Sequence, residues 1–168
     1  MAVKKEIINC GSHYSILSMK DFITLALVLI PALSSAQFVA KMEIKEPIEG
    51  LCDPKDVYAL LPMFQGQEEA TCPGTREDIL ARLNEEVQFL KDNPKFNGKG
   101  MIGLIINCKG QVLQCKMDNK TKSEELDKQI EKVFNSLGEW KAGKLNGKDV
   151  DSSKLFSFKI KKGQFVWE

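Results

Sequence analysis

Histidine is almost missing from this chain of 168 residues. The single one, His13, lies near the N-terminus. Residues 37–168 therefore offer no imidazole for a Ser-His or Cys-His pair, and none for a metal. Close cysteine pairs are missing too: no C-x-x-C occurs, so a zinc site of the usual spacing is excluded. An excess of one charge is lacking as well. Lys and Arg number 24 against 23 Asp and Glu, a net charge of +1, so no overall field draws the protein to DNA or an acidic membrane. Carboxylates are plentiful, but they fall on the solvent faces of expected helices and form no paired set aimed at one cleft. The sequence thus gives no catalytic residue, no metal ligand and no cofactor site, and the chain reads as a non-enzyme.

What is present begins with an apolar run. "MKDFITLALVLIPALSSAQ" starts at Met19 with Lys20, continues through apolar residues 22–33, and ends in small residues. Ser34 and Ala36 stand at −3 and −1 of a small-x-small cleavage site. Residues 1–36 are read as a signal peptide cleaved before Gln37, with Met19 an alternative start. The protein is then periplasmic and its mature form is not embedded in a membrane. The rival reading is a membrane anchor, because residues 22–40 are about long enough to span a bilayer. No cysteine follows the run at a lipobox position.

Four of the five cysteines, Cys52, Cys72, Cys108 and Cys115, lie beyond this segment. In an oxidising compartment an even set points to disulfides, with three pairings open. Charge is uneven along the same region. Residues 37–92 carry 6 basic and 12 acidic side chains, and residues 93–168 carry 15 and 9. The acidic part can shield the basic one, or the basic one can face an acidic partner; solvated charge faces are the commoner case.

Residues 37–73 show several prolines and no steady period, and read as an extended lead-in with a short helical turn at 55–61. Residues 74–168 form the domain proper. Thr75 and Asp78 make a capping-box start, and Ile79, Leu80, Leu83, Val87 and Leu90 recur on one helical face until Asn93-Pro94. Residues 101–108 are apolar almost throughout, as in a buried strand. Lys109-Gly110 is a hairpin signal, and residues 111–117 form the partner strand. A two-residue turn puts Leu104 opposite Cys115. Cys108 and Cys115 then lie roughly 13 Å apart along the strand, too far for a disulfide.

A second helix starts at a capping box of Thr121 and Glu124, buries Leu126, Ile130, Val133, Phe134 and Leu137, and stops at Gly138. Phe156, Phe158 and Ile160 alternate with polar residues in a half-buried strand, and Lys162-Gly163 turns into a short last one. The fold class is α+β: helix, strand, strand, helix, strand. Chain direction gives an antiparallel three-stranded sheet in the order 2-1-3, with helices on one face and the Lys-rich strand at an edge.

Four stretches carry a family likeness. They are "WKAGKLNGKDV" with Trp140, Lys141, Gly143, Asn146 and Gly147; "LFSFKI"; "GMIGLIINCKGQV"; and "PMFQGQEEA". Together with the element order they resemble the TonB C-terminal domain family, in its bacteroidete-type members, over residues 62–161. Ala142 and Asp149 stand where the family has prolines, and Gln65 and Gln67 where it has Pro and Gly. No Pro-rich spacer is legible between the apolar run and the domain. The resemblance implies a protein-binding module that takes an extended peptide by strand addition, with an outer-membrane transporter as its partner. The implied docking strand holds Ser153, Lys154, Leu155, Ser157, Lys159 and Lys161. The alternative is a stand-alone exported structural or interaction domain with no role in energy transduction. Nucleic acid is excluded, because the aromatics follow a core period rather than a stacking platform. Trp140 is expected to anchor the edge of the core, with Asn146-Gly147 as a turn.

Overall fold

The structure is a computed structural model and describes residues 38–167. The signal segment lies outside the described residues, as does the anchor alternative apart from 38–40. The described chain forms nine strands and three helices. These are β1 (Ala40–Met42), β2 (Val57–Ala59), β3 (Gln67–Glu68), α1 (Arg76–Glu86), α2 (Gln88–Asp92), β4 (Gly98–Ile106) and β5 (Val112–Asn119). They continue with α3 (Glu124–Asn135), β6 (Gly143–Leu145), β7 (Lys148–Val150), β8 (Ser152–Lys161) and β9 (Gln164–Trp167). The fold is α+β with a mixed main sheet. Its order is β1-β2-β8-β4-β5, with β9 also on β8, and β3-β6-β7 form a small second sheet.

The expected three strands are β4, β5 and β8. β4 lies between the other two and is antiparallel to both. The sheet does not stop at three strands, however. The lead-in contributes β2, which runs parallel to β8, and β1 beside it. The helical turn expected at 55–61 is therefore corrected to a strand. Three residues are too few to show a strand period, and the partner of β2 lies far along the chain.

Alternation decides which face is dry. Ile102, Leu104 and Ile106 of β4 and Phe156, Phe158 and Ile160 of β8 are buried in one cluster with Ile79, Leu83, Leu126, Ile130 and Phe134 of the helices. The helices therefore cover that face. α1 starts as its sequence requires. Thr75 Oγ1 accepts from the Asp78 N–H at 3.2 Å, and the Asp78 carboxylate accepts from the Thr75 N–H at 2.7 Å. The first helix is not continuous to Asn93, because Val87 adopts an extended backbone (φ −80°, ψ 96°) and divides α1 from α2. Val87 and Leu90 are buried all the same. The cap of α3 is Ser123, not Thr121. Ser123 Oγ accepts from the Leu126 N–H, while the Thr121 N–H donates to Asp127 at 2.9 Å. Gly138 sits past the helix end at φ 93°.

The β4–β5 hairpin corrects its expected turn but keeps its register. The Asn107 N–H donates to the Gln111 carbonyl at 2.9 Å, so the loop holds Cys108, Lys109 and Gly110. Ile106 then faces Val112, a step out of the two-residue register, and Ile105 faces Gln114. Leu113 is the extra residue of a bulge that restores the step, and Leu104 meets Cys115 as expected. Gly110 (φ 80°) supplies the left-handed position. A Cβ on it would come within 1.9 Å of the Trp140 carbonyl oxygen.

Candidate partner-binding surface

β8 carries the residues expected to dock a partner, so its two edges come first. The Tyr58 N–H of β2 donates to the Asp151 carbonyl at 2.9 Å. The backbone groups of odd-numbered residues here therefore point away from β4, and those of even-numbered residues point toward it. The same alternation reaches the far end. Lys161 closes on Gln164 around Lys162 (φ 51°) and Gly163 (φ 72°), a two-residue primed turn.

The outer edge of β8 is thus not the open edge expected. Ser152 and Ser153 are paired to β2, and residues 158–161 are paired to β9. Ser153, Lys159 and Lys161 of the expected docking set have their outward backbone positions occupied. Lys154 directs its backbone to β4, opposite Leu104. Between β2 and β9, no strand among the described residues pairs with the outer edge, and Leu155 and Ser157 hold the outward positions there.

The surroundings of this gap are specific. The Leu155 side chain is 55% exposed, one of few large apolar side chains so placed. Lys154 lies under the other face of the strand. Its ammonium pairs with Glu69 and sits 5.9 Å from the centre of the Phe156 ring. A cavity of about 470 Å³ opens beside it, lined by residues 69–72, Gly74, Arg76, Lys154, Leu155 and Phe156. Cys72 is in this lining as a thiol. Its Sγ lies 3.5 Å from the Gly74 carbonyl oxygen, and burial pushes its pKa up.

The stretch around Trp140 is packing and turn. Trp140 is 4% exposed and meets Phe156 edge-on, ring centres 5.9 Å apart. Its backbone N–H donates to the Gly110 carbonyl at 3.0 Å. Lys141 and Thr71 exchange backbone hydrogen bonds of 2.9 and 3.1 Å, which hold the cavity-lining segment in place. Gly143 is pressed against Leu60, whose Cδ1 would lie 2.4 Å from an added Cβ. Asn146 (φ 52°) and Gly147 (φ 77°) form the turn between β6 and β7. None of these residues belongs to a reactive cluster.

The disulfide joins Cys52 to Cys108, Cα atoms 6.1 Å apart, and so ties the lead-in to the β4–β5 loop. Cys72 and Cys115, also disulfide candidates, are thiols instead. Cys115 faces α3, with its Sγ 3.8 Å from the Glu131 carbonyl oxygen. Burial, then the Glu131 charge, pushes its pKa up to about 12. Sequence reasoning missed Asp151. It is 2% exposed, and its carboxylate accepts from the Asp53 N–H at 2.7 Å and the Cys108 N–H at 2.8 Å. Its oxygen and the two bonded sulfurs lie within 4.8 Å of one another, the one such cluster among the described residues. With the sulfurs joined and both carboxylate oxygens holding amides, its work is to fasten the loop. A lone acid after an apolar residue gives no signal of that role.

Neither a protein-family model, nor a curated protein, nor a solved structure matches the chain. No helix among the described residues is long and apolar enough to cross a membrane.

Proposed function

We infer that this is a protein-binding module of an exported, periplasmic protein, and that it takes an extended segment as a short added strand. The added strand pairs with Leu155 and Ser157 in the middle of β8. The observation that carries this reading is the gap itself: two outward-facing backbone positions between β2 and β9, beside an exposed leucine and a cavity. Main-chain hydrogen bonds supply the affinity, and the Leu155 side chain and the cavity supply the selectivity. The resemblance to the TonB C-terminal family supplies the partner class, a segment of an outer-membrane transporter.

A second reading has its own observation. β9 already occupies residues 158–161. A domain that closes its own edge in this way suits a stand-alone exported structural role with no part in energy transduction.

Titration of the full chain with extended peptides from co-encoded outer-membrane proteins separates the two. Under strand addition, the Leu155 and Ser157 amides shift and gain protection, and Ser157→Pro abolishes binding while the domain stays folded. Wild-type binding by that variant would remove strand addition here and leave the second reading.

A further inference from the structure

Five of the 15 basic residues in 93–168 come together in one place. A groove of about 540 Å³ at the far end of the sheet is lined by Lys99 of β4, Lys159 and Lys161 of β8, and Lys120 and Lys122 after β5. Asn97, Gly98, Asn119 and Ile160 complete the lining, so no carboxylate among the described residues is part of it. Its volume falls within the range of roughly 300–1,000 Å³ usual for ligand sites.

Two of these lysines are neighbours across the sheet. Lys99 stands directly opposite Lys159 in the β4–β8 register, so their side chains leave the sheet side by side on the same face. Like charges so placed repel, and Lys161 follows two residues along on that face. Glu124, the first residue of α3, has its carboxylate held by Lys128 at 2.9 Å. A cluster of lysines with no lining acid among the described residues is a site suited to a concentrated negative charge.

The residue types narrow the ligand. Every cation in the groove is lysine, a compact point charge, and the arginine fork that grips a carboxylate in two places is missing. Among the described residues no aromatic side chain lines the groove, so those residues offer a nucleobase nothing to stack on. We propose that this groove is a binding site for a ligand with clustered phosphate groups, either free in solution or carried as the headgroups of an anionic lipid surface.

The test uses the full chain and three probes. The first is tripolyphosphate, followed by calorimetry at low and moderate salt. The second is vesicles of phosphatidylglycerol compared with phosphatidylcholine. The third is a single-stranded oligothymidylate. The expected result is salt-sensitive tripolyphosphate binding that falls at least about tenfold in Lys99→Gln/Lys161→Gln, since two charge-assisted contacts are lost. Lys144→Gln/Lys148→Gln, in β6 and β7, should bind as wild type does. The groove variant should melt no lower than wild type, because it relieves repulsion, and tripolyphosphate should raise the melting temperature of wild type alone. A groove-dependent preference for phosphatidylglycerol assigns the lipid source, and its absence beside tripolyphosphate binding assigns the soluble one. Three results would overturn the proposal: no tripolyphosphate binding at low salt, equal loss in both double variants, or tighter binding of the oligothymidylate.

Discussion

Among the described residues the outer edge of β5 runs along the margin of the main sheet with no partner strand, whereas that of β8 is paired at both ends and open only in its middle. An unpaired edge is a template for another chain, and the two strands meet that hazard differently. On β5 the remedy comes from a side chain: Glu131 of α3 accepts the Met117 N–H at 2.9 Å. The even-numbered residues there, such as Lys116 opposite Gly103, turn their backbones inward to β4. On β8 the remedy is more strand, contributed by β2 from the lead-in and β9 from the C-terminus. A carboxylate cap suits an edge that is to stay closed. A gap framed by strands leaves two aligned backbone positions and a cavity, which is the more useful geometry for a partner.

Proline scanning sharpens this contrast most. The Phe158 backbone points to β4 and its ring is fully buried. Phe158→Pro removes a ladder bond and the ring together, and the ring alone is worth about 3–5 kcal/mol. That variant should be unfolded by circular dichroism. Ser157→Pro removes only an outward N–H. It should stay folded, with a loss of about 1 kcal/mol or less in urea denaturation. If both variants unfold, the alternation of β8 is misassigned.

Trp140 belongs to neither edge and calibrates the scale of a core loss. Trp140→Ala should cost about 3–5 kcal/mol in the same assay, well above any edge variant that stays folded. Glu131→Ala bares the β5 edge, so it should lower stability by about 1 kcal/mol and raise the concentration dependence of light scattering. A variant that scatters no more than wild type would show that the β5 edge needs no cap.

The smallest effect is a pH slope. Cys115, beside the same glutamate, stays protonated in the fold until about pH 12, whereas an unfolded thiol ionises near ~8.5. As pH rises between those values, the unfolded chain releases a proton that the folded chain keeps, so stability falls with pH. Cys115→Ala should flatten the decline in denaturation midpoint over that window. An unchanged slope would mean that the thiol is not shielded.

The sequence spoke most clearly where local chemistry settles local structure. Thr75 with Asp78 announced a helix start, and Asn146-Gly147 and Lys162-Gly163 announced turns, because Gly, and Asn after it, adopt left-handed backbone angles most readily. The apolar run of β4 and the alternation of β8 fixed the dry face. The Leu104–Cys115 register was also legible, although the expected turn was one residue too short and the Leu113 bulge made up the difference. What stayed hidden depends on distant pairs. β2 is too short to carry a period, and the partner of Cys52 was one of three pairings. The cap by Asp151 joins segments far apart in the chain. The covering of β8 follows from those same unseen contacts, so its docking strand looked longer in the sequence than the fold leaves it.

Residue-resolved amide hydrogen exchange on the free chain tests the open gap most directly. The account predicts fast exchange at Leu155 and Ser157, between slow amides at Phe156 and Phe158 on the same strand. Slow exchange at all four positions would mean that the outer edge of β8 is already closed, and would contradict the account.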